Sequence, residues 1–158
     1  MKIENEKESG STISIRNFKR NAFDEQGNLI WELKSEESFV YVLENRTIFY
    51  TILFDQYEKG KRTTSVTAER GEVNHTTKKL TLKGKIVLKS DNSKTLTTEE
   101  LLYDIDAKKL STDSSVVVSG NGTVIRGIGL RADKGLNKIT ILKPIAVTHG
   151  GSSPFKKD

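Results

Sequence analysis

The chain has no cysteine. That excludes disulfides, thiol nucleophiles and cysteine-based zinc sites. Histidine occurs only at His75 and His149, too far apart in sequence to suggest a metal-ligand set. Proline is nearly absent, with two residues in 158. No apolar run is long enough to span a bilayer, and Met1–Gly10 is charged from its start, so no signal peptide is visible. Helical periodicity is missing too: no segment holds apolar residues at i, i+3, i+4 and i+7 for more than a turn. No five like charges run together, which removes a basic nucleic-acid arm.

The signatures of catalysis are also lacking. There is no Gly-x-Ser-x-Gly elbow, and no serine with a histidine–aspartate setting. Gly120-Asn-Gly122 and Gly127-Ile-Gly129 lack the third glycine and the following helix of a phosphate loop, and read as turns and bends. Asp104-Ile-Asp106 has the spacing of a divalent-ion motif, but it lies at a strand end before Ala107-Lys-Lys109, where Asx residues favour turns. The chain reads as neither enzyme nor metalloprotein, and no cofactor is expected.

What is present is short alternating apolar runs in a chain that is 34% hydrophobic and 30% charged, with a net charge of +5. Such runs suit sheets with one wet face. A mildly basic surface favours anionic partners, among them nucleic acid, lipid headgroups and acidic sugars. Phe39-Val-Tyr-Val-Leu43 and Ile48-Phe-Tyr-Thr-Ile-Leu-Phe54 read as a hairpin turning at Asn45-Arg46. Asp24–Asn28 turns into Leu29–Leu33, and Glu58–Lys61 is another turn. Leu80–Leu82 and Ile86–Leu88 flank Gly84, a bend or bulge. Val116–Val118, Val124-Ile125, Ile139–Ile141 and Ile145–Val147 complete the strands.

One unit repeats. Val66-Thr-Ala-Glu69 matches Leu96-Thr-Thr-Glu99 thirty residues on, and at the same offset Lys78-Lys-Leu80 matches Lys108-Lys-Leu110. Ile86 and Leu88 match Val116 and Val118. A shorter copy is read at Leu130-Arg-Ala-Asp133 with Ile139–Ile141, and a fainter one at Leu33-Lys-Ser-Glu36. Each unit is an antiparallel hairpin with one apolar face. A lone hairpin is at best marginally stable, whereas stacked units share an interior. The fold class is all-β, a stacked two-sheet architecture over about residues 13–148, with flexible segments at 1–12 and 149–158. The expected interior comprises Phe39, Tyr41, Ile48, Tyr50, Ile52, Leu80, Leu82, Ile86, Leu88, Leu101, Tyr103, Val116, Val118, Leu130, Ile139 and Ile141. It is either ordinary core or a slot for acyl chains, which gain about 0.8 kcal/mol per buried CH₂, with phosphorylated groups at a basic rim.

Leu96-Thr-Thr-Glu-Glu-Leu-Leu-Tyr-Asp104, Lys109-Leu-Ser-Thr112 and Gly120-Asn-Gly-Thr-Val-Ile-Arg-Gly-Ile-Gly-Leu-Arg-Ala-Asp133, leading to Leu136 and Ile139, resemble the LptC family of lipopolysaccharide-export proteins. Phe23–Leu33 is similar to that family's first hairpin, and the repeat is similar to OstA-like modules. The resemblance implies a twisted antiparallel β-jellyroll with a groove open between its sheets and lipopolysaccharide carried in it. The lipid would come from the inner-membrane ABC transporter complex and pass to a soluble periplasmic bridge protein of the same fold through exposed sheet edges. It also implies a periplasmic location and an inner-membrane anchor, an N-terminal helix ahead of Lys2. If the native chain begins at Met1, the soluble bridge protein is the better match. A homodimer is compatible with this reading. The rivals are a structural or adhesion module with a dry core, and a nucleic-acid barrel. The second needs exposed aromatics interleaved with Lys and Arg, and here the aromatics sit in the most apolar strands.

Overall fold

The structure is a computed structural model and describes residues 10–149. Nine antiparallel strands follow one another: β1 (Ile13–Phe23), β2 (Leu29–Tyr41), β3 (Arg46–Glu58), β4 (Lys61–Asn74), β5 (Lys79–Ser90), β6 (Lys94–Asp104), β7 (Lys109–Gly120), β8 (Thr123–Asp133) and β9 (Ile139–His149). No helix long and apolar enough to cross a membrane occurs among them. Most of the expected flexible ends, residues 1–9 and 150–158, lie outside the described residues. His149 still pairs with Thr123 at the end of β9.

Hairpins form where turn chemistry demands them. Lys59-Gly60 and Asn121-Gly122 have positive φ at both central residues, the mirror-image turn whose twist matches that of paired strands. Asn74 Oδ1 accepts the N–H groups of Thr76 and Thr77 at 2.9 and 3.0 Å. Thirty residues on, Asp104 Oδ1 accepts the Ala107 N–H at 3.1 Å. The Asp104-x-Asp106 motif is thus a turn, as its sequence suggests. Strand Phe39–Leu43 ends sooner than expected: Val42 and Leu43 belong to the turn, and Leu43 is almost fully exposed.

Two separate sheets are not what forms. The strands make one sheet in the order β1 to β9, and its two halves become the layers. Pairing lapses at one level across all nine strands, near Asn17, Glu36, Thr51, Glu69, Gly84-Lys85, Glu99, Asp113, Gly129 and Leu142. The sheet folds along that crease. The distances demand it. β3 and β6 are three strands apart, about 14 Å at the usual spacing, yet the Tyr103 hydroxyl on β6 donates to Gln56 Oε1 on β3 at 3.1 Å. Phe18 on β1 and Phe49 on β3 lie 5.5 Å apart between ring centroids. The Glu of the repeat sits on the crease: Glu99 Oε1 accepts the Lys85 N–H at 3.2 Å, and Lys85 reaches Glu69 at 3.7 Å.

The last copy of the repeat is shifted from its expected alignment. Asp133 pairs with Lys109 as Asp104 pairs with Lys79, so it matches Asn74 and Asp104 at the turn, not Glu69 and Glu99 at the crease. Burial pushes its carboxyl up. The N–H groups of Lys138 (2.6 Å) and Gly135 (3.2 Å) and the Asn137 amide (3.1 Å) outweigh that and hold it below the usual carboxylate range.

Candidate functional site

The folded sheet encloses an apolar interior that is filled in the middle and open at two ends. Leu82, Ile86, Leu88, Leu96, Leu101 and Leu130 are each no more than 2% exposed and close the centre. At the β1–β3 end lies a cavity of about 510 Å³. Phe18, Trp31, Leu33, Val40, Phe49, Phe54, Val73 and Leu80 wall it, Tyr103 and Ile105 close its floor, and Arg20, Ser38, Thr47, His75 and Lys78 supply its polar groups. At the β7–β9 end a second hollow of about 400 Å³ is lined by Val118, Ile125, Ile139, Ile141, Pro144 and Val147, with Lys94 and Asn121. A larger depression of about 650 Å³ follows the crease, lined by Phe18, Ile52, Leu53 and Ala68 together with Lys19, Lys34, Glu36, Glu69 and Lys85. It is the more open of the two, and the first cavity, which encloses a ligand better, is the stronger candidate.

The sixteen expected groove residues divide into two groups. Ile52, Leu80, Leu82, Ile86, Leu88, Leu101, Tyr103, Val116, Val118 and Leu130 form one buried cluster, with Ile139 and Ile141 packed against it. Phe39, Tyr41, Ile48 and Tyr50 do not join them. They form a second cluster on the opposite face of β2 and β3, where the Phe39 and Tyr50 rings meet edge-on at 5.9 Å and the Arg46 guanidinium lies 4.0 Å over Tyr41. The single continuous interior is corrected to that extent. Thr51 accounts for the split. Its φ is 59°, and one left-handed residue reverses which side chains face in, as a one-residue slip does. Before it Thr47 and Phe49 face the interior; after it Ile52 and Phe54 do. Gly84 and Lys85 are both left-handed, so in β5 the alternation is reversed twice and Leu80, Leu82, Ile86 and Leu88 stay in register.

Most of the cavity wall lies outside the sixteen expected groove residues. Phe49, Phe54, Val40 and Val73 occupy strands in which both alternations are apolar or neither is, and only the crease decides between them. Phe18 stands among polar neighbours in β1, the strand with the weakest pattern.

The polar groups have defined states. Burial, with a smaller push from Asp104, raises Tyr103 to about 12. It therefore stays a neutral donor to Gln56, whose Nε2 donates in turn to Thr64 Oγ1 at 2.8 Å. His75 pairs with Thr47 Oγ1 at 2.9 Å, and burial, then Arg20, hold its imidazole below the usual value. The Ser38 hydroxyl is buried on the wall with no hydrogen-bond partner. No group of His, Asp or Glu among the described residues is arranged to hold a metal. The arrangement can hold an apolar chain with a polar end.

A family model for lipopolysaccharide assembly, LptC-related, matches residues 2–149. The chain belongs to that family. This LptC-related chain has a role in lipopolysaccharide transport, in a family of bridge proteins that carry lipid without enzymatic chemistry. Its fold is similar to that of LptH from Pseudomonas aeruginosa, the LptA-homologous periplasmic component of the lipopolysaccharide transport device. The TM-score is 0.57 at 8% identity, covering 70% of this chain and 80% of that one. At that identity the likeness is one of fold, and it supports the β-jellyroll. No curated protein matches the LptC-related chain in sequence.

Proposed function

We propose that the interior between the two layers carries the acyl chains of lipopolysaccharide, entering by the cavity at the β1–β3 end. The observation that carries this is the apolar cavity of about 510 Å³ beside a closed core. It lies within the roughly 300–1,000 Å³ range of small-molecule pockets. The lipid comes from the inner-membrane ABC transporter complex and leaves to a soluble periplasmic bridge protein of the same fold. In this reading the chain works in the periplasm behind an N-terminal inner-membrane anchor. Support for edge-to-edge hand-over comes from β1 and β9, the two ends of the strand order. Each carries exposed apolar side chains, Ile13 and Phe23 on β1 and Leu142, Ile145 and Val147 on β9, and an open edge is a template for another strand.

The test is photo-crosslinking in cells that export lipopolysaccharide. Photoreactive residues at Val40, Phe49 and Val73 are expected to capture it, and those at Phe39 and Ile48, on the other face, are not. Capture at none of the first three sinks the carrier reading. Equal capture at all five would mean the lipid binds somewhere other than this interior.

A further inference from the structure

Resting on the carrier reading, we infer that the mouth of the β1–β3 cavity is a phosphate site built from Arg20, His75 and Lys78, so that a bound amphiphile lies with its phosphorylated head at this end and its chain running inward. The three come from two elements, Arg20 from β1 and His75 and Lys78 from the turn between β4 and β5, and all line the same cavity. No Asp or Glu lines the cavity. Among the described residues neither Arg20 nor Lys78 has a carboxylate within ion-pair distance, whereas other cations do: Lys19 reaches Glu32 at 3.3 Å and Arg62 reaches Asp55 at 3.9 Å. Two uncompensated cations lining an apolar cavity favour an anion there, and Arg in particular matches phosphate geometry.

A second observation is independent of the charge. The Ser38 hydroxyl is fully buried on this wall and unpartnered. A buried hydroxyl without a partner is costly, and a ligand oxygen within this cavity would satisfy it. The other opening carries one cation, Lys94, which donates to the Leu136 carbonyl at 3.1 Å. The β1–β3 end carries two, Arg20 and Lys78, and that difference in charge orients the ligand.

His75 reports on the site. Arg20 disfavours its charged form, and a phosphate placed between them reverses that influence. Of the other charges on neighbouring elements, Arg46 and Glu72 belong to the opposite face of the sheet with Ile48, and Lys78 shares the rim. The experiment is a histidine NMR titration of the intact chain with n-dodecyl phosphate, n-dodecyl maltoside and inorganic phosphate, all below micelle formation, with His149 as internal control. Dodecyl phosphate is expected to raise the His75 pKa by about one pH unit, while the maltoside binds without doing so. Replacing both cations (Arg20→Gln with Lys78→Gln) is expected to weaken dodecyl phosphate about tenfold relative to the maltoside. If both detergents bind and His75 does not respond, the phosphate site is wrong and the groove stands. If neither binds, the carrier reading itself fails. An equal response to inorganic phosphate alone overturns the headgroup assignment in favour of a free-anion site.

Discussion

Tyr103 shows how one side chain ties the layers together. Its ring packs on Phe54 at 6.1 Å between centroids, and its hydroxyl crosses from β6 to Gln56 on β3. Replacing it with Phe keeps the packing and leaves the buried Gln56 carbonyl oxygen without its donor. The expected loss is about 1–3 kcal/mol, read as a lower urea midpoint at unchanged slope. An unchanged midpoint would mean the bond contributes nothing net. The pH dependence follows from the same burial. An acid whose folded pKa lies above its unfolded value stabilises the fold below the unfolded value, here about pH 10. That stability is lost as pH rises through about 12, and Tyr103→Phe removes this contribution to the alkaline slope. At this scale the sequence is a partial guide. Tyr103, Leu80 and Val118 are legible as inward because their strands alternate cleanly. Ile48 and Phe49 are not, because both are apolar and the choice rests on a left-handed Thr51 that no propensity announces.

The strands and turns were the most readable level. Lys59-Gly60 and Asn121-Gly122 announce hairpins through residues that tolerate positive φ, and Asn74 and Asp104 announce turns through side chains that bond their own backbone. The repeat found its meaning only in the fold, where Glu69 and Glu99 mark the crease and successive turns bond to one another, His75 N–H to Asn45 O at 2.9 Å and Lys134 N–H to Lys108 O at 3.2 Å. Between β8 and β9, Leu136 is fully buried and its carbonyl accepts from Asn92 and Lys94 across the layers. Long-range bonds of that kind leave no local signal. At the open edge, Gly127 is set by close approach. A Cβ there would lie 2.5 Å from Ile141 Cγ2 and 2.7 Å from the Lys143 carbonyl oxygen, and a backbone atom cannot step aside. Gly127→Ala is expected to destabilise by about 1–3 kcal/mol and to loosen β9 first. Hydrogen exchange should then show β9 amides losing protection while β3–β6 keep theirs. Uniform loss would mean that β9 is not a separable edge.

For the whole molecule the decisive property is a sandwich that is packed at its centre and hollow at its ends. A carrier must hold its lipid only moderately, because a tight site would stall transfer, and a filled centre limits how deep a chain inserts before the layers part. Binding to the folded state alone raises its stability by about 2.7 kcal/mol at a hundredfold excess over Kd. For a chain of this size that is about 5–11 °C in Tm. Each end is tested by filling it. Val73→Trp places an indole in the β1–β3 cavity and Ile141→Trp places one in the β7–β9 hollow. Both are expected to lower the unliganded Tm through overpacking, so the quantity to compare is the rise each variant shows on adding lipid A. Loss of that rise in Val73→Trp with retention in Ile141→Trp assigns the acyl site to the β1–β3 end. The reverse pattern moves the site to the β7–β9 end, where Lys94 is already engaged, and takes the basis for an oriented ligand with it. Equal rises in both variants would mean that the chains lie in neither hollow, and that the layers part along the closed centre.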